Sequence, residues 1–472
     1  MHNDISRRDF VVGGTAAGLL MAAGRGVADD GRKLRVALVG TGIRGTGFWG
    51  SFLNENYADV AEFAALCDSN PGRLELARSW IGTDCPTYTN FDEMLATVPL
   101  DLLMVCTVDS THDEFIVKGL EAGVDVVTEK PMVTDEHQCQ AVIDAARQSS
   151  GRLWVALNYR YGQVFTRLKE KLVRQEVGRL TSIDFNWYLN VHHGASYFRR
   201  WHGLREKSGT LLVHKSAHHF DLLNWWIDSD PVEVHAFGGL EKYGANNPFR
   251  GKRCMGCPHI ERCDFYFDMR KDDRLMRLYH ANEQYDGYIR DNCLWREEID
   301  IYDKMAVQIR YANDVQVSYS LTTYSPYEGF RVAFNGLDGR FESWEGVPSL
   351  MAEQQDQAKL HAMEMDQHGN KHGKLEYHEI VTQKNFGDYR RERLPYVRSG
   401  HWGGDRLMLD HLLRGLLPKP AHDHRATVRD GAFSVLIGFA ARKSIDEGRP
   451  VRIAELSDLE PGFVRQRADE IA

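Results

Sequence analysis

One hexapeptide constrains this chain more than any other. Gly40-Thr41-Gly42-Ile43-Arg44-Gly45 follows the β-rich run Leu34-Arg35-Val36-Ala37-Leu38-Val39. A GxGxxG that closes a strand and opens a helix is the phosphate-binding turn of a dinucleotide fold; the same letters in another context mean little. Gly40 allows the tight turn, Gly42 lets the backbone approach a pyrophosphate, and Gly45 permits close packing of helix on strand. The helix N-terminus, with its partial positive charge, then faces the phosphates. A second predicted strand, 61–67, ends at Asp68. An acid at that strand end suits the ribose hydroxyls of NAD and repels the extra phosphate of NADP. A plain strand-terminal turn acid is the other reading.

The βα alternation continues through Asp101-Leu102-Leu103-Met104-Val105-Cys106, the loop from Thr107 to His112, and Val124-Asp125-Val126-Val127. It closes with a helix over 134–146 and a strand over 153–157. Near-continuous apolar strands separated by helices predict a doubly wound parallel sheet covered on both faces. The predicted dinucleotide domain therefore runs from residue 33 to 157, leaving 158–472 for a second domain. The 58 basic and 67 acidic residues give a formal charge of −9. No Lys/Arg cluster marks a nucleic-acid footprint, and no apolar run reaches the ~18–20 residues of a membrane span.

At Glu129-Lys130-Pro131 the sequence resembles the Gfo/Idh/MocA oxidoreductase family, whose members include glucose–fructose oxidoreductase and inositol dehydrogenase. The resemblance rests on the glycine loop, on Cys67-Asp68, on Thr107 through His112 and on the E-K-P tripeptide. Asn158-Tyr159-Arg160 and His218-His219-Phe220-Asp221 extend it. It implies a C-terminal α/β domain with an open, mainly antiparallel sheet, a sugar or polyol substrate, NAD as cofactor and a homo-oligomer. Glu129 and Lys130 then border the cofactor, as do Thr107 and His112, and Arg160 borders the substrate. By position alone, Lys130 sits past the carboxyl end of a parallel strand, where open α/β sheets bind ligands. There it can hydrogen-bond a hydroxyl and lose a proton when desolvated; a solvated strand-end Lys is the alternative.

Read as one helix, His214, His218, Asp221 and Trp225 share a face. The family pattern is an Asp, three residues, then a His; here His218 matches the His and His214 stands at the Asp position. His218 is the expected general acid/base and His214 its companion, with Lys215 and His219 as substrate contacts. A zinc pair and buried structural histidines are the competing readings. Gly400-His401-Trp402-Gly403-Gly404-Asp405 precedes a helix and reads equally as a site border or a helix cap. Residues 351–395 are polar and read as an excursion or loop.

Cys254, Cys257 and Cys263, with Cys293, lie in a poorly periodic insertion, 250–295. Their spacing suits a structural zinc, two disulfides or free thiols. Residues 1–28 read as an export signal: Ser6-Arg7-Arg8-Asp9-Phe10-Val11 resembles the twin-arginine motif, and small residues precede a cut ahead of Asp29. The expected location is the periplasm or the exterior, where free dinucleotide is scarce, so a tightly retained cofactor is expected. The expected activity is hydride transfer at a secondary alcohol of a sugar, sugar derivative or polyol. An NAD-dependent glycoside hydrolase and a non-catalytic sugar-binding protein are the alternatives.

Overall fold

The computed structural model describes residues 32–346, 377–397, 400–416 and 422–465. The expected export signal lies outside the described residues. The first sheet holds β1 (Leu34–Val39), β2 (Ala61–Cys67), β3 (Thr87–Tyr88), β4 (Leu102–Val105), β5 (Asp125–Thr128) and β6 (Leu153–Val155). Its order is β3-β2-β1-β4-β5-β6, and every pair is parallel. β4 is buried along its whole length, as a strand covered on both faces must be. With β2 on one side of β1 and β4 on the other, the glycine loop leaves β1 at the topological switch point, where such sheets bind ligands.

The second sheet has nine strands: β7 (Leu180–Asn190), β8 (Pro231–Gly239), β9 (Lys304–Tyr311), β10 (Gln316–Ser325), β11 (Gly329–Gly336), β12 (Gly339–Glu345), β13 (Tyr377–Lys384), β14 (Tyr389–Pro395) and β15 (Val451–Arg452). The order is β14-β13-β12-β11-β7-β10-β9-β8-β15, antiparallel throughout except for β7 beside β10. β9 alternates strictly between exposed and buried, so one face is solvated and the other joins the core. β13 and β14 form a hairpin within the stretch read as a loop. Both faces of β14 are polar and largely exposed, so no two-residue period marks it in the sequence.

The core beneath this sheet takes in Trp225 and Trp226 of the helix Ser216–Ile227 and Phe433 and Leu436 of the helix Val428–Glu447. Ser216–Ile227 is buried all round, polar residues included. Such a helix must pair its polar groups internally. Arg160, fully buried just after β6, does this: it donates to Asp221 at 2.5 and 2.8 Å and to Asp430 at 2.9 Å. Asp430 also closes the capping box of Val428–Glu447 with Thr427 and accepts from Arg465 at 2.5 Å. Burial pushes the Asp221 carboxyl up to about 6 against the pull of Arg160. Asp430, beside two guanidinium groups, is held well below the usual carboxylate range although burial opposes this. Arg160 was expected to touch substrate; its bonds to two buried carboxylates make it structural instead.

Removing one partner of a buried ion pair leaves an uncompensated charge and costs about 3–5 kcal/mol. Arg160→Met is expected to destabilise the chain by about that amount in urea denaturation. The double variant Arg160→Met/Asp221→Asn is expected to recover part of the loss, because it removes the stranded Asp221 charge as well.

Candidate active site

A cleft of about 1830 Å³ opens over the carboxyl ends of the first sheet and is walled on its far side by the second domain. At its floor the glycine loop is closed tightly on itself. Gly40 has φ +91°, and a Cβ there would lie 2.5 Å from the Cys106 carbonyl oxygen; one on Gly45 would lie 2.0 Å from the Gly40 oxygen. No larger residue fits either place. Asp68, buried at the end of β2, accepts from the Thr41 N–H (2.7 Å) and Oγ1 (2.9 Å), from the Asn70 N–H (2.8 Å) and from Arg73 (3.2 Å). The bare turn, the helix beginning at Gly45 and the acid at the second strand end fit the diphosphate and ribose of a dinucleotide.

Several expected cofactor residues shape this floor rather than project from it. Glu129 accepts from Arg44 at 2.6 Å and from Trp49 at 2.8 Å. Burial would raise its carboxyl, but the charge and hydrogen bond of Arg44, with Lys130 and Trp49, together hold it below its ordinary value. Arg44 also reaches Asp405 at 3.1 Å, and His401 Nδ1 stands 2.9 Å from the same carboxylate. Of the two readings of the Gly400–Asp405 stretch, the site border fits, since His401 lines the cleft; the helix Gly404–Arg414 has no side-chain cap, and Asp405 in its first turn bonds Arg44, Asn158 and His401 instead. Thr107 lines the cleft, while both ring nitrogens of His112 sit against backbone carbonyls, those of Pro131 (2.8 Å) and Thr107 (3.3 Å).

Lys130 follows β5, and the Lys130–Pro131 peptide is cis. Its Nζ stands 3.2 Å from His214 Nε2 and donates to the His214 carbonyl at 3.2 Å. The opposite nitrogen of that ring, Nδ1, is 2.5 Å from Asp109 Oδ2. The residue at the family's Asp position is thus a histidine with a carboxylate behind it. Burial pushes Lys130 down to about 8, although Asp109 and Glu129 pull it upward. Burial likewise drives Asp109 up and His214 down, the latter helped by the Lys130 charge. The chain has two arrangements with the same number of protons. In one, Lys130 is ammonium and Asp109 carboxylate; in the other, both are neutral and each proton has moved one step along His214.

His218 stacks flat on Tyr159, with ring centroids 4.1 Å apart, and lines the cleft; its buried Nδ1 has no hydrogen-bond partner among the described residues. Burial, then the Lys130 and Lys215 charges, hold it well below its usual value, so it is a neutral imidazole. Lys215 donates to the Tyr159 hydroxyl at 3.0 Å and also lines the cleft. The expected single helix is two pieces, Leu211–His214 and Ser216–Ile227, but Lys215 between them keeps helical angles. His214 and His218 therefore both reach the cleft.

Two expectations are corrected here. His219, expected at the substrate, is fully buried, stacked on Trp187 at 4.1 Å and bonded through Nδ1 to the Tyr319 hydroxyl at 2.8 Å. Cys254, Cys257, Cys263 and Cys293 are free thiols lining one small cavity. Among the described residues no group of three or more His, Cys, Asp or Glu is placed to hold a metal ion, so the suggested zinc site is not formed. The buried guanidinium of Arg199 lies against Cys254 Sγ at 2.9 Å, putting a cation where the metal reading had only sulfur.

Asp109 escaped the sequence reading although it sits between Thr107 and His112, both of which were singled out; an acid inside a strand-end loop was the available signal. Tyr279 and Asp286, from the Cys-rich insertion, also line the cleft, with the Tyr279 hydroxyl accepting from the Ile43 N–H at 3.0 Å. No local pattern ties them to a nucleotide loop more than 230 residues earlier.

Known proteins match this architecture. The oxidoreductase family with an NAD-binding Rossmann fold, GFO_IDH_MocA, matches residues 34–157, and its C-terminal alpha/beta domain matches 169–453. "Putative oxidoreductase YteT" of Bacillus subtilis (strain 168) is 34% identical over 436 residues, 86% of this chain and 95% of that one. An inositol 2-dehydrogenase/D-chiro-inositol 3-dehydrogenase of Lactiplantibacillus plantarum is 24% identical over 201 residues, 42% of this chain and 54% of its own. The WlbA dehydrogenase of Bordetella pertussis, solved with NADH and UDP-GlcNAcA, shares the fold at a TM-score of 0.58 and 17% identity, covering 89% of this chain and 98% of that one. With both of its domains matched in order and the lysine and histidines facing one cleft, this chain belongs to the Gfo/Idh/MocA family of NAD(P)-dependent oxidoreductases.

Proposed function

We propose that the protein oxidises a secondary alcohol of a sugar, sugar derivative or polyol, using NAD held on the glycine loop. The observation that carries this is the Lys130–His214–Asp109 chain, which opens beside His218 on the floor of the cleft. The loop backbone at Gly40–Gly45 and Asp68 would hold the dinucleotide, and a bound nicotinamide supplies the hydride acceptor. The chain's own residues handle the proton. A substrate hydroxyl placed between Lys130 and His218 is held by both side chains. With Lys130 neutral, His214 protonated on Nδ1 and Asp109 a carboxylate, the hydroxyl proton passes to Lys130 as the carbinol C–H bond breaks with its electron pair. One-step shifts through His214 to Asp109 then spread the charge, so no full ammonium has to form in a desolvated place. Tyr159, stacked between His218 and Phe165, holds the imidazole in place. NAD is preferred to NADP because Asp68 stands at the ribose position.

Arg200 bears on the substrate. It lines the cleft with its guanidinium over the Tyr197 ring; among the described residues the guanidinium donates one hydrogen bond, to the Ser196 carbonyl, and no carboxylate pairs with it. A cation so placed favours a substrate with an acidic group, and the WlbA dehydrogenase was solved with UDP-GlcNAcA. The twin-arginine stretch supports export as a folded protein, and the insertion over the cleft supports a retained cofactor; both suit a redox-neutral cycle on a glycoside as the second reading. The discriminating assay screens neutral sugars, polyols, uronic acids and glycosides with and without added NAD, following nicotinamide absorbance and released aglycone. Net NADH from a free sugar supports the dehydrogenase; aglycone release with no net NADH supports the glycosidase.

Lys130→Ala is expected to lower kcat about 10²–10⁴-fold, the usual worth of a general base, while NADH binding persists. The kcat/KM for oxidation is expected to rise as pH passes about 8, where Lys130 becomes neutral. Asp109 raises that value, so Asp109→Asn is expected to move the limb to lower pH while reducing kcat. A pH profile with the limb unmoved in Asp109→Asn would show that the carboxylate does not act through Lys130.

A further inference from the structure

The four acceptor sites of Asp68 are all taken: two by Thr41, one by the Asn70 N–H and one by Arg73. A carboxylate offers about four such sites, so a ribose hydroxyl has to displace one donor. Thr41 and Asn70 are fixed by the loop and the helix cap. Arg73 differs, because it has a second carboxylate to go to: its NH2 lies 2.6 Å from Asp286 Oδ2 and 3.2 Å from Asp68.

Asp286 comes from the insertion between β8 and β9, which is clasped onto the dinucleotide domain next to the glycine loop. Tyr279 bonds the Ile43 N–H, and the Asn70 side chain donates to the Asn282 carbonyl at 3.0 Å. Leu275, Leu278 and Tyr279 form an apolar cluster with Ile43, Leu76 and Trp80 of the dinucleotide domain. A Cβ on Gly72 would lie only 1.9 Å from Asn282 Oδ1, so the Asn282 side chain packs directly on the Gly72 backbone. Asp286 is therefore held in place from its own side of the cleft. An arginine at the end of the second strand is the group that takes the 2′-phosphate of NADP in folds of this kind.

We propose that Asp286 is a specificity-determining residue for the dinucleotide: it draws Arg73 off Asp68, freeing an acceptor for the 2′-hydroxyl of NAD and denying the cation to a 2′-phosphate. The inference rests on the NAD-linked reading above and names the residue, outside the dinucleotide domain, that sets its preference. Without Asp286, Arg73 has one carboxylate left. It then either stays on Asp68 and blocks the ribose, or turns to a phosphate that no longer meets a second negative charge.

The test measures NADH and NADPH affinity by quenching of protein fluorescence in the full chain and in the Asp286→Ala and Asp286→Asn variants, with thermal melts to confirm folding. The wild type is expected to prefer NADH. Each variant is expected to bind NADH more weakly and NADPH more tightly, changing the affinity ratio at least tenfold, and Arg73→Ala added to either variant is expected to abolish the NADPH gain. A ratio unchanged in both folded variants overturns the proposal and leaves the NAD-linked reading intact. A wild type that binds neither nucleotide overturns both. If Asp286→Ala fails to fold, the isosteric Asp286→Asn, which keeps the shape and removes the charge, decides the matter by the same ratio.

Discussion

The buried guanidinium of Arg160 is the interaction on which the rest of the site depends. It joins the segment leaving β6 to Asp221 on one helix and Asp430 on another, at 2.5–2.9 Å. The helix that receives Asp221 also carries His218, three residues earlier on a neighbouring turn. The segment that carries Arg160 follows directly from Tyr159, the ring on which His218 stacks. Holding these backbones together sets where the imidazole meets the first domain, and so how far it lies from Lys130. Buried ion pairs add little net stability against apolar replacements, yet they fix geometry when every partner is satisfied. Arg160 makes a further bond to the Arg425 carbonyl, so each of its three nitrogens donates at least once.

Much of the first domain was legible because its signals are local. A strand, a glycine turn and a helix follow one another within about twenty residues, and E-K-P lies at the end of a buried strand. The paired strands β9–β10 and β11–β12 carry the same kind of local signal, residue alternation on either side of a short turn. β3 was hidden by its two-residue length and β14 by polar residues on both faces. The role of Arg160 was hidden because Asp430 lies 270 positions away, and a charged residue beside a conspicuous motif looks the same from sequence whether it faces solvent, substrate or a buried carboxylate.

The substitution of His214 for an acid illustrates the limit of one-to-one comparison. Position by position the negative charge is missing, yet Asp109 supplies it through the imidazole from a different loop. Both residues are buried, and the low dielectric that penalises each charge also strengthens their coupling to Lys130. Chemistry is preserved here by the sum of charges around an atom, and that sum is a property of the folded cleft rather than of any single position.

The insertion has a consequence for how the protein is made. Tyr279, Asn282 and Asp286 reach the nucleotide loop from between β8 and β9. The first domain therefore leaves the ribosome with every glycine of its turn in place and the mouth of its cleft still open. Closure waits until the second sheet has been translated far enough to pair β8 with β9 across the insertion. A truncated product that carries the whole dinucleotide domain therefore lacks the residues that border its nucleotide loop from the second domain.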